Sequence, residues 1–297
     1  MEHLRSQGKS PSTIRVHRAC ICKTILQAVE VDLNESTTLA DYLKNLDREC
    51  PKETLRFPRW DLCVVLRGLR LAPFEPLATV DVKYLTLKTL FLTALASAAR
   101  VSELGALSAE EGFIRVKDDK SEVVLRPFDG FLAKNQRSSE APREYTVRAL
   151  RDHVPVDDPE RLLCPVRALS TYLRRTNKFR GARKKLFISY MPGRTQEIGV
   201  QSIARWLRDV IKLTYELQSA DVLVQELQTN AHEIRAIASS LAVWRNTSVQ
   251  DVLQTAYWKN HNTFTDFYLR KLCYSTRKLE KRGGAVVCAG RELCLKL

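Results

Sequence analysis

The sequence predicts a mainly α chain in two parts, a short helical domain followed by a larger α+β domain. Three observations predict it. Apolar residues recur at helical spacing on both sides of a proline-rich break at 71–78. A run of leucines and alanines over 79–98 contains neither glycine nor proline. Between two helical regions, over 113–147, the apolar period drops to two.

Taken in order, the first part (1–75) opens with Ser12 or Thr13 placed to cap a helix in which Ile14, Ile21, Ile25 and Val29 share a face. A second helix is expected around 39–46 and a third over 60–69, entered after Pro58. The stretch Leu71-Ala-Pro-Phe-Glu-Pro-Leu-Ala is the expected linker. The 79–98 helix has Asp81 in its first turn and is apolar nearly all round, so it is expected at the centre of the second domain, 76–274.

Phe113-Ile-Arg-Val and Glu122-Val-Val-Leu-Arg read as strands joined across Asp118-Asp119-Lys120, with Glu144-Tyr-Thr-Val as a third. Pro165 opens a helix through Leu173, and Leu186-Phe-Ile reads as a short strand after the basic cluster 180–185. From Val200 the pattern is helical to about Leu272, and 275–297 reads as a tail.

Composition narrows the partners. With 44% hydrophobic and 28% charged residues, the 297-residue chain is globular rather than disordered. A formal net charge of +14 points to a polyanion, of which nucleic acid is the commonest; acidic proteins and membrane surfaces are the alternatives. The longest apolar run, 85–99, is short of the ~18–20 residues of a membrane span and carries Lys88, so no membrane partner is expected. The N-terminus lacks the apolar core of a secretory signal. Eight scattered cysteines show neither a C-x-x-C pair nor zinc-finger spacing, which predicts no metal site, no disulfide framework and an intracellular chain.

Four separated pieces carry candidate chemistry. Arg100 follows the buried helix, with Glu103 three residues on, where it can hold the guanidinium if the helix continues; alone, such an arginine reaches solvent. His232 and Arg235 share one helix face, with Asn230 as N-cap, and helix N-termini favour anions. Trp258 precedes Phe264, Phe267 and Tyr268, which by themselves read as a core stripe. Lys134, in Phe131-Leu-Ala-Lys-Asn, lies between or after the strands, where an exposed lysine is the ordinary meaning. In the first helix Arg15, Arg18 and Lys23 lie largely off the apolar face, where they contact phosphates or simply face solvent.

The succession of these pieces resembles the tyrosine recombinase/integrase family, whose A-x-R-x-S-E-L element is matched from Ala98 to Leu104. Pro73-Phe-Glu-Pro-Leu and Leu85-Thr-Leu-Lys-Thr-Leu-Phe are similar to the recombinases of DIRS-type eukaryotic retroelements. The resemblance covers roughly 10–270. It departs at Ala98, where the family usually has glycine, at Ala236, where many members have histidine, and at Ala256-Tyr257-Trp258, where many have Leu-Gly-His. His261 stands nearby.

The resemblance implies a helical, SAM-like core-binding domain and a catalytic domain that clamp double-stranded DNA. Arg100 and Arg235 would hold the non-bridging oxygens of one phosphate, and the Trp258 indole would donate to it. His232 would take the proton of Tyr268, which attacks to give a 3′-phosphotyrosine. Lys134 would protonate the leaving 5′-oxygen, with Lys117 and Lys120 as competitors. No metal, ATP or small-molecule cofactor is implied. The family expectation is a homotetramer on DNA, serving integration of a mobile element in a nucleus. A metal-dependent transposase would need three carboxylates, for which no persuasive triad is found. A recombinase-derived DNA-binding protein without activity is the other reading.

Overall fold

The computed structural model describes residues 1–50, 58–151, 153–194, 196–218 and 229–270. By its contacts the chain divides into two units, Met1–Thr54 and Leu55–Leu297. The 275–297 tail lies outside the described residues.

The first unit holds α1 (Glu2–Ser6), α2 (Pro11–Val29) and α3 (Thr37–Glu49). Helix α2 starts earlier than the sequence predicts: Ser10 is its N-cap and accepts from the Thr13 amide at 3.3 Å, with Pro11 at the first helical position. Ser36 caps α3 in the same way. The inner face of α2 is Ile14 and Cys22, which are buried with Leu46 of α3. Ile21 and Val29, expected on that face, are 47% and 62% exposed, because within this unit one 13-residue helix covers only part of a 19-residue one.

The second unit opens with α4 (Leu62–Gly68), capped by the Asp61 carboxylate, which accepts from the Cys63 amide at 2.8 Å. Gly68 is required by close approach: a Cβ there would stand 2.7 Å from Thr214 Cβ. The expected linker at 71–78 is instead part of the core. Phe74 and Leu77 are buried alongside Trp60, Val65 and Leu66, so the prolines turn the chain within one packed unit rather than between two. The same segment supplies Glu75, which accepts from Lys88 Nζ at 2.6 Å and from both Nη atoms of Arg167 at 2.8 and 3.0 Å.

Helix α5 (Val82–Ser97), capped by Asp81, is buried at every position from Leu85 to Leu95. That includes Lys88, whose ammonium also donates to the Leu69 carbonyl at 2.6 Å and which burial pushes down to about 8. Around α5 pack α7 (Pro165–Arg180), α8 (Val200–Glu216) and α9 (Ala231–Trp244). The sheet is antiparallel in the order β1 (Ile114–Val116), β2 (Glu122–Leu125), β3 (Tyr145–Arg148), with Val123 opposite Val147. Val123, Leu125, Tyr145 and Val147 alternate onto the core face.

Leu186-Phe-Ile forms no strand. Leu186 donates one bond to the Leu107 carbonyl at 2.7 Å and its neighbour Lys185 makes a single bridge to Ser108, too little to build a ladder. The short helices α6 (Val101–Ala106), α10 (Val249–Thr255) and α11 (His261–Phe267) complete a mainly α unit around one small sheet. Among the described residues no helix is long and apolar enough to cross a membrane.

Candidate active site

The site is built where α5 ends. Ala98 takes a left-handed conformation (φ 47°, ψ 25°), which stops α5 and turns its carbonyl out of the helix. Two residues on, Arg100 is the N-cap of α6. Glu103, on the first turn of α6, accepts from the Arg100 amide at 2.7 Å and from its Nη1 at 2.8 Å. Arg143 donates to the same carboxylate at 2.9 Å, and Arg235 Nη1 stands 3.8 Å from it. Burial pushes the Glu103 carboxyl up, but the Arg100 amide and the surrounding guanidiniums outweigh it and hold the group below the ordinary range. Three guanidiniums therefore share one carboxylate, and the cluster carries a positive excess.

Arg235 reaches this cluster from α9. Asn230 caps that helix, its side chain accepting from the His232 amide at 3.0 Å, as the sequence predicts. The Arg235 guanidinium is 5% exposed and donates to the carbonyls of Ala98 and Ala256, each at 2.5 Å. Burial, reinforced by Arg100, pushes it down to about 10, so it remains a cation at neutral pH. His232, one turn earlier, is exposed at the N-terminal end of the same helix.

Trp258 and Tyr268 come from the last described turns. Asn260 caps α11, and Tyr268 is that helix's C-cap, held by Ser240 Oγ, which donates to its carbonyl at 3.3 Å. The Trp258 ring lies 4.3 Å from the Tyr268 ring, 4.4 Å from the Arg235 Cζ and 5.9 Å from the Arg100 Cζ. Its indole N–H is buried with no acceptor among the described residues, as is the Arg235 Nε–H. Two buried donors without acceptors beside a cationic cluster fit an oxyanion. Tyr257, in the position where the resembled family often has glycine, also has positive φ (54°).

Of the predicted residues, then, the fold brings together Arg100, Arg235, Trp258 and Tyr268, with His232 at the rim of the same helix. The Lys134 side chain is exposed and its ammonium is not brought into the cluster; its main-chain carbonyl accepts from Arg143 Nη2 at 3.4 Å. Lys117 and Lys120 lie on the exposed β1–β2 turn. Arg15, Arg18 and Lys23 belong to the other unit, where Arg15 is paired with Asp47 at 2.6 Å. Sequence reasoning missed Arg143. The signal was present: Arg143, Tyr145 and Val147 alternate inward at the start of β3. Among the described residues no group of three His, Cys, Asp or Glu side chains is placed to hold a metal.

A helical unit with a small antiparallel sheet, converging on a buried and a half-buried arginine, an indole and a tyrosine, defines the class of fold. No protein-family description and no curated protein matches the chain. Among solved structures it is similar to a lambda integrase dimer bound to a COC′ core site, with a TM-score of 0.50 and 13% identity over 88% of this chain and 77% of that one. It is also similar to XerA recombinase, with a TM-score of 0.47 and 17% identity over 96% and 89%. The fold is that of a tyrosine recombinase catalytic domain.

Proposed function

We propose that the chain is a tyrosine recombinase that cuts and rejoins double-stranded DNA through a 3′-phosphotyrosine at Tyr268. The observation that carries this reading is one indole, Trp258, with the Arg235 and Arg100 guanidiniums on it and the Tyr268 ring 4.3 Å away. Cleaving a phosphodiester without a metal needs cationic donors for the charge that develops on the phosphorane. Arg100 and Arg235 supply two planar forks, and the free indole N–H one more bond. His232 takes the phenol proton and Lys134 delivers one to the leaving 5′-oxygen. The first unit, Met1–Thr54, acts as the core-binding domain through Arg15, Arg18 and Lys23. Four chains assemble on DNA to integrate a mobile element of the DIRS type, in a nucleus.

A duplex nicked beside the scissile phosphate traps the covalent complex, because the released fragment diffuses away. A protein–DNA adduct lost in Tyr268→Phe is the expected result. DNA binding with no adduct from the unaltered chain selects the other reading, a recombinase-derived DNA-binding protein without activity.

A further inference from the structure

Arg143 has no part in the chemistry assigned so far, yet it is buried and touches three pieces of the site. Its Nη1 donates to Glu103 Oε1 at 2.9 Å, the oxygen that also accepts from Arg100 Nη1 at 2.8 Å. Its Nη2 donates to the Lys134 carbonyl at 3.4 Å. Its guanidinium carbon lies 4.7 Å from the centre of the Tyr257 ring, the residue before Trp258. The Tyr257 hydroxyl in turn bonds the backbone of Glu144, next to Arg143, at 3.0 and 3.2 Å.

A guanidinium is costly to bury unless its donors are used, and here they join separate segments. Within the Lys134 segment the bonds are short-range, Ala133 donating to Gln136 Oε1 at 3.1 Å and Gln136 Nε2 to the Ala141 carbonyl at 3.0 Å, and at its far end an exposed ion pair joins Glu140 to Lys259 at 3.6 Å. Those bonds shape the loop without fixing it to the arginine cluster. The Arg143 fork does fix it, since one end grips the carboxylate that orients Arg100 and the other grips the main chain of Lys134. A lysine has no second planar arm to span that gap.

We propose that Arg143 is a positioning residue that sets the Lys134 ammonium against the leaving 5′-oxygen. The proposal rests on the recombinase reading above. Arg143 does not touch the DNA in it; it acts through Lys134. General acids contribute about 10²–10⁴-fold, and small misplacements forfeit much of that.

The test compares two nicked duplexes in single turnover, one with an ordinary scissile phosphodiester and one with a 5′-bridging phosphorothiolate, whose thiolate leaves without a proton. Arg143→Met is expected to slow ordinary cleavage by roughly 10–100-fold, while the phosphorothiolate stays within about threefold of the unaltered chain. Lys134→Ala gives the same split, and the double variant is no slower than Lys134→Ala alone. Equal slowing on both substrates, or none on ordinary DNA, overturns the assignment. If Arg143→Met fails to fold, Arg143→Lys must show the split, because it keeps a cation beside Glu103 and loses the fork. An unaltered chain that cleaves neither substrate defeats the enzyme reading itself; an active chain whose variants show no split defeats only the role given to Arg143.

Discussion

The Arg235 guanidinium carbon lies 4.4 Å from the centre of the Trp258 indole, and its two terminal nitrogens are bonded to the carbonyls of Ala98 and Ala256. One side chain thus ties the end of α5 to the turn after α10 while presenting positive charge to the ring beside Tyr268. It is a structural knot and a candidate phosphate ligand together. Arg235→Ala is expected to lower adduct formation by about 10²–10³-fold, the cost of losing one preorganised donor, with the DNA dissociation constant little changed. Arg235→Lys restores charge but not the fork and should recover little. Retained cleavage in either variant removes Arg235 from the reaction.

Glu103 makes the cluster sensitive to acid. Its folded pKa lies below the ordinary 4.5, despite burial, because the Arg100 amide and the guanidiniums favour the anion. A group depressed on folding stabilises the native state above its unfolded pKa, and that contribution is lost as pH falls through the folded value. Glu103→Gln should therefore cost roughly 3 kcal/mol at pH 7, where three arginines lose their counter-charge. The gap between variant and unaltered chain should narrow below pH 4.5 in chemical denaturation. A gap that stays constant down to pH 3 removes Glu103 as the linked group.

The helices and the sheet were legible because their signals are local. Asp81, Asn230 and Pro165 mark the starts of α5, α9 and α7, and the period-two runs mark all three strands. What was not legible is what depends on partners distant in sequence. Phe74 and Leu77 look like linker residues until α4 and α5 are seen packed around them, and Ile21 looks inward until the cover available to α2 is known. Arg100, Arg235, Trp258 and Tyr268 could be named from their order along the chain. Arg143 offered only its inward alternation with Tyr145 and Val147, since its partners are a carboxylate 40 residues earlier and a ring 114 residues later.

Two residues where the resembled family favours glycine carry side chains in left-handed backbone, and they should respond in opposite ways. Ala98 (φ 47°) has only a methyl to lose, so Ala98→Gly should relieve strain and stabilise by about 0.5–1 kcal/mol, raising Tm by roughly 2–3 °C. Tyr257 (φ 54°) lies under the Arg143 guanidinium, meets the Tyr145 ring edge-on and bonds the Glu144 backbone, so Tyr257→Gly should destabilise by about 2 kcal/mol despite the same relief. Thermal melts of both variants check the contrast. A destabilised Ala98→Gly would show that the methyl's packing outweighs its strain.

The basic cluster at 180–185 separates charge that holds the fold from charge that meets a polyanion. Arg180 donates to the carbonyls of Lys185 and Leu186 at 2.5 and 2.9 Å, and Arg183 to those of Arg180 and Arg194 at 2.8 and 2.9 Å. Their donors close the C-terminal end of α7 and the loop after it, which is what orphan carbonyls at a helix end require. For a chain of net charge +14, DNA affinity should fall steeply with salt, log K changing by about 0.9 per log unit of salt for each phosphate neutralised. Arg180→Ala should leave that slope unaltered and cost roughly 1–3 kcal/mol of stability, since it strands part-buried acceptors. Lys178, exposed two residues earlier, should do the reverse, lowering the slope with stability intact. A slope reduced by Arg180→Ala with stability intact would move this guanidinium from the helix end to the phosphate backbone.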